Sequence, residues 1–174
     1  MTQPRRAKPD MSRRTAARLA AVQAVYEMEM AERSADAVLR DFAADRWVVA
    51  ADGDTAAPLR RVDPDAAFLG DLVRGAAGRL ADIDGMIASA LSAEWPLDRL
   101  EAVLRAILRV GAYELFSRVD VPLRVIISEY VDIAHAFFDS KEAGLVNAVL
   151  DRIGRVLRPD EAGGGDDDAT TGAR

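Results

Sequence analysis

The chain has 174 residues, half of them hydrophobic, and no cysteine. It is long enough to bury a sizeable core, and it carries neither a disulfide framework nor thiol chemistry. Acidic residues outnumber lysine and arginine by 29 to 23, a net charge of −6 that argues against indiscriminate coating of nucleic acid.

The start of the chain reverses that charge. Arg5, Arg6, Lys8, Arg13, Arg14 and Arg18 face a single acid, Asp10, within the first eighteen residues. Residues 1–11 read as a flexible basic arm. Ser12 is the expected N-cap of a first helix, with Leu19, Val22, Tyr26 and Met30 as one apolar stripe. An arginine-led helix on an acidic body is a candidate site for a phosphate backbone.

A second helix is expected from about Ala35 to Trp47. Val48 to Asp63, with Asp52-Gly53-Asp54 and Pro58, reads as a long loop. Asp63-Pro64 pairs a capping acid with proline at the first helical position, ahead of Phe68, Leu72 and Val73. Asp82 is the expected cap of a helix carrying Ile83, Met86, Ile87, Ala90 and Leu91. Trp95-Pro96 then punctuates the chain.

The strongest period follows: Leu100, Val103, Leu104, Ile107, Leu108, Ala112 and Leu115 form a broad apolar face. Gly111 lies inside it, a place for a close helix crossing. Pro122 opens a helix with Leu123, Ile126, Ile127, Tyr130, Ala134, Phe137 and Phe138. The last helix carries Leu145, Val146, Val149, Leu150 and Ile153. The expectation is an all-α compact bundle of about seven helices over residues 12–158. Residues 159–174, rich in Gly and Asp, read as a disordered acidic tail.

Groups for catalysis are scarce. His135 is the only histidine, the glycine run at 163–165 precedes acids, and no nucleophile motif occurs. No enzyme, no metal and no cofactor are expected. Glu114 and Glu129 sit in apolar helices, with Arg109 five residues before Glu114, and a structural ion pair among them is the first expectation. No apolar run approaches the ~18–20 residues of a membrane span. The basic start also lacks a signal peptide's apolar stretch, so no membrane association and a cytoplasmic setting are expected.

Two stretches carry a resemblance. Ser12 to Tyr26, SRRTAARLAAVQAVY, resembles the arginine-led first helix of the NusB family of bacterial transcription antitermination factors, approximately RRxARxxAxQxLY. Leu104 to Leu115 is similar to the family's LRxxxYEL helix, and Asp120-Val121-Pro122 to its DVP turn. Ile127-Ser128-Glu129 is close to INE, and Leu145 to Asp151 is close to FVNGVLD. Thr15 stands where the family often has a further basic residue. Ser128, Leu145 and Ala148 replace an asparagine, an aromatic residue and a glycine.

The resemblance implies an all-helical RNA-binding fold. It implies binding to the boxA element of nascent ribosomal RNA together with ribosomal protein NusE. Within an RNA polymerase antitermination complex, that assembly helps the polymerase read through terminators in ribosomal RNA operons. Arg13, Arg14 and Arg18 are then the expected RNA contacts, with Arg5, Arg6, Lys141 and Leu145 as further candidates. Tyr26 is the candidate partner anchor, with a place in the core as the equal alternative. For the free protein, monomer and homodimer both stand as readings. Two other readings stand beside this one. One is an RNA-targeting module like the N-terminal domain of ribosomal RNA cytosine methyltransferases. The other is an adaptor that binds protein alone.

Overall fold

A computed structural model describes residues 9–44, 48–49 and 60–163, with backbone alone for 9–12, 48–49 and 60–61. Its described residues form eight α-helices: α1 (Pro9–Ala31), α2 (Ala35–Ala44), α3 (Ala66–Gly78), α4 (Leu80–Ala90), α5 (Ala102–Ser117), α6 (Leu123–Phe137), α7 (Ser140–Leu157) and α8 (Pro159–Gly163). The all-α class and the seven long helices agree with the sequence. Two short strands, β1 (Val48–Val49) and β2 (Arg60–Arg61), pair antiparallel with Val48 opposite Arg61. Where a loop was expected, the β-branched valines supply a ribbon of two residue pairs.

Contacts divide the chain into two compact units, Met1–Gly78 and Arg79–Arg174. In the first, α1 packs on α2 and α3, which also pack on each other. Of the expected stripe on α1 only Val22 is buried. Ala16, Ala17, Ala20, Ala21, Val22, Ala24 and Val25 are buried, whereas Leu19 is half-buried and Met30 is exposed. Alanine favours helix and lets neighbouring backbones approach closely, so small residues form this core.

The helix ends shift from their expected positions. α1 begins at Pro9, ahead of Ser12. It ends at Ala31; the next residue, Glu32, has φ 51°, and the Arg33 N–H reaches back to the Met28 carbonyl at 3.2 Å. That is the left-handed stop usually made by glycine. Ser34 caps α2 by accepting the Ala37 N–H at 3.2 Å. α3 is capped by Asp65, not Asp63: its Oδ1 accepts the Phe68 N–H at 3.0 Å. α4 starts at Leu80, so Asp82 lies in its first turn instead of capping it. Several acids near a helix start satisfy the same preference, and the backbone path selects among them.

In the second unit α5 packs on α4, α6 and α7, and a 3₁₀ turn at Leu97–Arg99 precedes it. A Cβ at Gly111 would lie 2.9 Å from Leu150 and 3.3 Å from Tyr130, so the missing side chain lets α6 and α7 close on α5. The buried Glu114 accepts the Tyr130 hydroxyl at 2.7 Å. Arg109 forks onto Asp84 of α4 at 2.8 and 2.9 Å. Five residues of separation on a helix point Arg109 and Glu114 to different faces, so each meets a different element.

Arg158, only 7% exposed, closes the unit. It donates to the carbonyls of Leu115 (2.8 and 3.0 Å), Arg118 (2.7 Å) and Val121 (2.7 Å). These lie at the end of α5 and in the turn to α6, where helix carbonyls lose their own partners. α8 occupies the head of the acidic stretch. There Glu161 accepts the Leu123 N–H at 2.9 Å, at the start of α6. Residues 1–8 and 164–174 lie outside the described residues; of the expected arm, 9–11 belong to α1, and of the expected tail, 159–163 form α8.

Candidate nucleic-acid interface

The basic end of α1 rests on one ring. The Arg14 guanidinium lies 5.0 Å from the Phe68 centroid and that of Arg18 lies 5.1 Å from it. Phe68 is itself buried in the first turn of α3, placed there by the Asp65 cap. A planar guanidinium stacks through its face and keeps its N–H edges for acceptors. The Arg14 Nε is buried with no hydrogen-bond partner among the described residues.

Arg13 is exposed. Its Nε donates to the Asp63 carbonyl at 3.3 Å, and its own carbonyl accepts the Asp65 N–H at 3.2 Å. The start of α1 and the start of α3 are thereby joined.

Arg18 departs from its expected role. It is 2% exposed and presents no guanidinium edge to solvent. The four-residue spacing does align Arg14 and Arg18, but along the side of α1 that Phe68 covers. Arg18 packs on the Phe68 ring within the first unit. Arg13 and Arg14 are the members of the trio that solvent reaches. Arg5 and Arg6 lie outside the described residues.

Tyr26 is 37% exposed, so the apolar stripe does not carry it into the core. In the second unit Lys141 is exposed, with its ammonium 4.8 Å from the Trp95 ring, and Leu145 is half-buried beside it. The sequence reading missed Phe68 and Trp95 as site residues. The signal for Phe68 was its place three residues after Asp65. For Trp95 it was an aromatic residue held in a turn just before a proline.

Among the described residues no group of three or more His, Asp or Glu side chains gathers to hold a metal ion. No helix among them is long and apolar enough to cross a membrane.

Comparison with known proteins bears on this arrangement. The family model described as "NusB family" matches residues 15–155. The chain is 50% identical over 154 residues to the transcription antitermination protein NusB of Bradyrhizobium diazoefficiens, covering 88% of this chain and 90% of that protein. It is 48% identical to the same-named protein of Rhodospirillum rubrum, covering 88% and 89%. Among solved structures, T. maritima NusB superposes with a TM-score of 0.68 at 27% identity, covering 85% of this chain and 95% of that one. A structure of antitermination factors NusB and NusE in complex with double-stranded RNA gives 0.62 at 25% identity, covering 84% and 98%. A family match from the first helix to the last turns of α7, with half-identical relatives over nearly nine-tenths of the sequence, places this chain in the NusB family of transcription antitermination proteins.

Proposed function

We propose that the chain binds boxA-type single-stranded RNA in nascent ribosomal transcripts together with ribosomal protein NusE. As part of an RNA polymerase antitermination complex it helps the polymerase pass terminators. It acts in the cytoplasm by binding, without metal, cofactor or catalytic turnover. The observation that carries the reading is the exposed Arg13 beside Arg14, which is held on the Phe68 ring near the start of α1, in a chain of net charge −6. Phosphates are attracted to that one basic end and repelled elsewhere. A NusB structure that includes NusE and RNA supports the same pairing of partners.

The test is the double variant Arg13→Ala, Arg14→Ala, with RNA binding measured by fluorescence anisotropy over a range of salt. Loss of two phosphate contacts should make the log–log salt slope shallower by about 1.4 and weaken binding at low salt roughly tenfold or more. Melting should change little, since Arg13 is exposed and Arg14 half-buried. A double variant with the parent's affinity and slope would remove this end of α1 from the interface.

The partner reading rests on Tyr26. An exposed tyrosine offers an apolar ring and a polar tip, a combination enriched in interfaces. A basic ribosomal protein would meet an acidic surface here and add RNA contacts of its own. Tyr26→Asp should leave the circular dichroism spectrum and melting near the parent's and weaken NusE binding about tenfold or more. Unchanged NusE affinity in the folded variant excludes Tyr26 as the anchor. Sedimentation of the free chain in the same series reports whether it forms a homodimer.

A further inference from the structure

A second aromatic feature, in the Arg79–Arg174 unit, is not used by the basic end of α1. Trp95, Lys141, Glu142 and Leu145 line an open depression of about 200 Å³. Its walls are fixed. The Trp95 N–H closes a turn onto the Ser92 carbonyl at 3.0 Å, and Pro96 follows it. On the other side, Arg152 of α7 donates to the Ala90 carbonyl at the end of α4 at 2.7 Å, pinning the two elements together.

The size sets what can enter. Pockets for whole small ligands run to about 300–1,000 Å³. This one is smaller, about seven times a water molecule's share of liquid volume, which suits one planar ring. The chemistry narrows the choice further. The Trp95 ring is half-buried, with the exposed Lys141 ammonium 4.8 Å from its centroid. A flat π surface with a mobile cation beside it is complementary to a nucleotide, which joins a flat base to a phosphate. The lysine stem is flexible, so its ammonium can leave the ring for a phosphate while a base takes its place. The Glu142 carboxylate on the wall repels phosphate. It therefore orients the nucleotide with the base inward and the phosphate toward Lys141.

We infer that this depression is a stacking site for one unpaired base of single-stranded RNA, with Trp95 as the platform and Lys141 as the phosphate contact. The inference rests on the RNA-binding reading above and adds a contact in the second unit. Leu145 adds an apolar side chain to the lining, and Trp95 is the aromatic ring in it.

The experiment uses the full chain and a labelled single-stranded RNA carrying boxA, with the same RNA annealed to its complement as control. Trp95→Leu should weaken single-strand binding roughly tenfold, leave the salt slope unchanged, and keep melting near the parent's. Trp95→Phe should recover most of the loss. Lys141→Ala should make the slope shallower by about 0.7, one single-strand phosphate. The Trp95 changes should not act on the duplex, whose bases are already paired. A fluorescence reading guards against a misfolded variant. In a Trp47→Phe background Trp95 is the sole tryptophan, and stacking should quench its emission as RNA binds.

Bound RNA with unchanged Trp95 emission overturns the inference and leaves RNA binding at α1 standing. So does a folded Trp95→Leu variant that binds RNA like the parent but loses NusE, because the occupant is then a protein side chain. A parent that binds no RNA at any salt overturns both readings.

Discussion

Arg158→Ala should lower folding stability by about 3–5 kcal/mol, the scale expected when several buried carbonyls are left unsatisfied at roughly 1–3 kcal/mol each. Its guanidinium serves three carbonyls at 2.7–3.0 Å, and the ion pair to Glu161 at 3.5 Å is longer and partly exposed. Hydrogen bonds involving a charged group contribute roughly 1.5–3 kcal/mol each when isolated, and their loss here strands acceptors at the end of α5. The alanine variant removes the donor fork and leaves the Leu115 and Val121 carbonyls, in two buried residues, to find other partners. Arg158→Lys should recover only part of the loss, because an ammonium cannot span carbonyls on both sides of the turn. Urea unfolding followed by circular dichroism measures both variants. A loss under about 1 kcal/mol for the alanine variant, the scale of a surface pair, would show that the network contributes little.

Phe68→Ala should cost about 3–5 kcal/mol, as expected for a buried phenylalanine. Phe68 is 3% exposed, and two guanidinium groups rest within about 5 Å of its centroid. The more informative variant is Phe68→Leu, which keeps apolar volume and removes the π face. It should stay folded yet weaken RNA binding several-fold, since Arg14 loses the surface that holds it. The effect should persist at high salt, because no phosphate-binding charge has been removed. A leucine variant with the parent's RNA affinity would show that Arg14 needs no such support.

The large-residue helices were legible because their period is unambiguous. Leu104, Ile107, Leu108 and Leu115 are buried on α5 as their spacing requires. On α1 the same reasoning placed Val22 inside but also picked Leu19 and Met30, and alanines fill most of that core. An alanine-rich helix shows little contrast between its faces, so the covering residues decide which side is inside. The Arg14–Arg18 alignment was visible for the same geometric reason, but Arg18's burial depends on Phe68, fifty residues further along. In the sequence Arg158 is only the last residue of the expected 12–158 bundle. Its role is set by the α5–α6 turn, about forty residues earlier, and no local pattern records that. The Trp95 depression likewise joins residues nearly fifty apart in the chain.

On α5, Val110 through Leu115 are all buried, six successive positions that cover every direction around the helix axis. No side of this turn faces water, so its amides exchange with solvent deuterium only when the whole surrounding unit opens. On α2 only Val38 and Phe42 are buried, and its amides are free to exchange through local fraying. The slowest protons in the chain should map to 110–115, and their rate reads the global opening free energy of the Arg79–Arg174 unit without any denaturant.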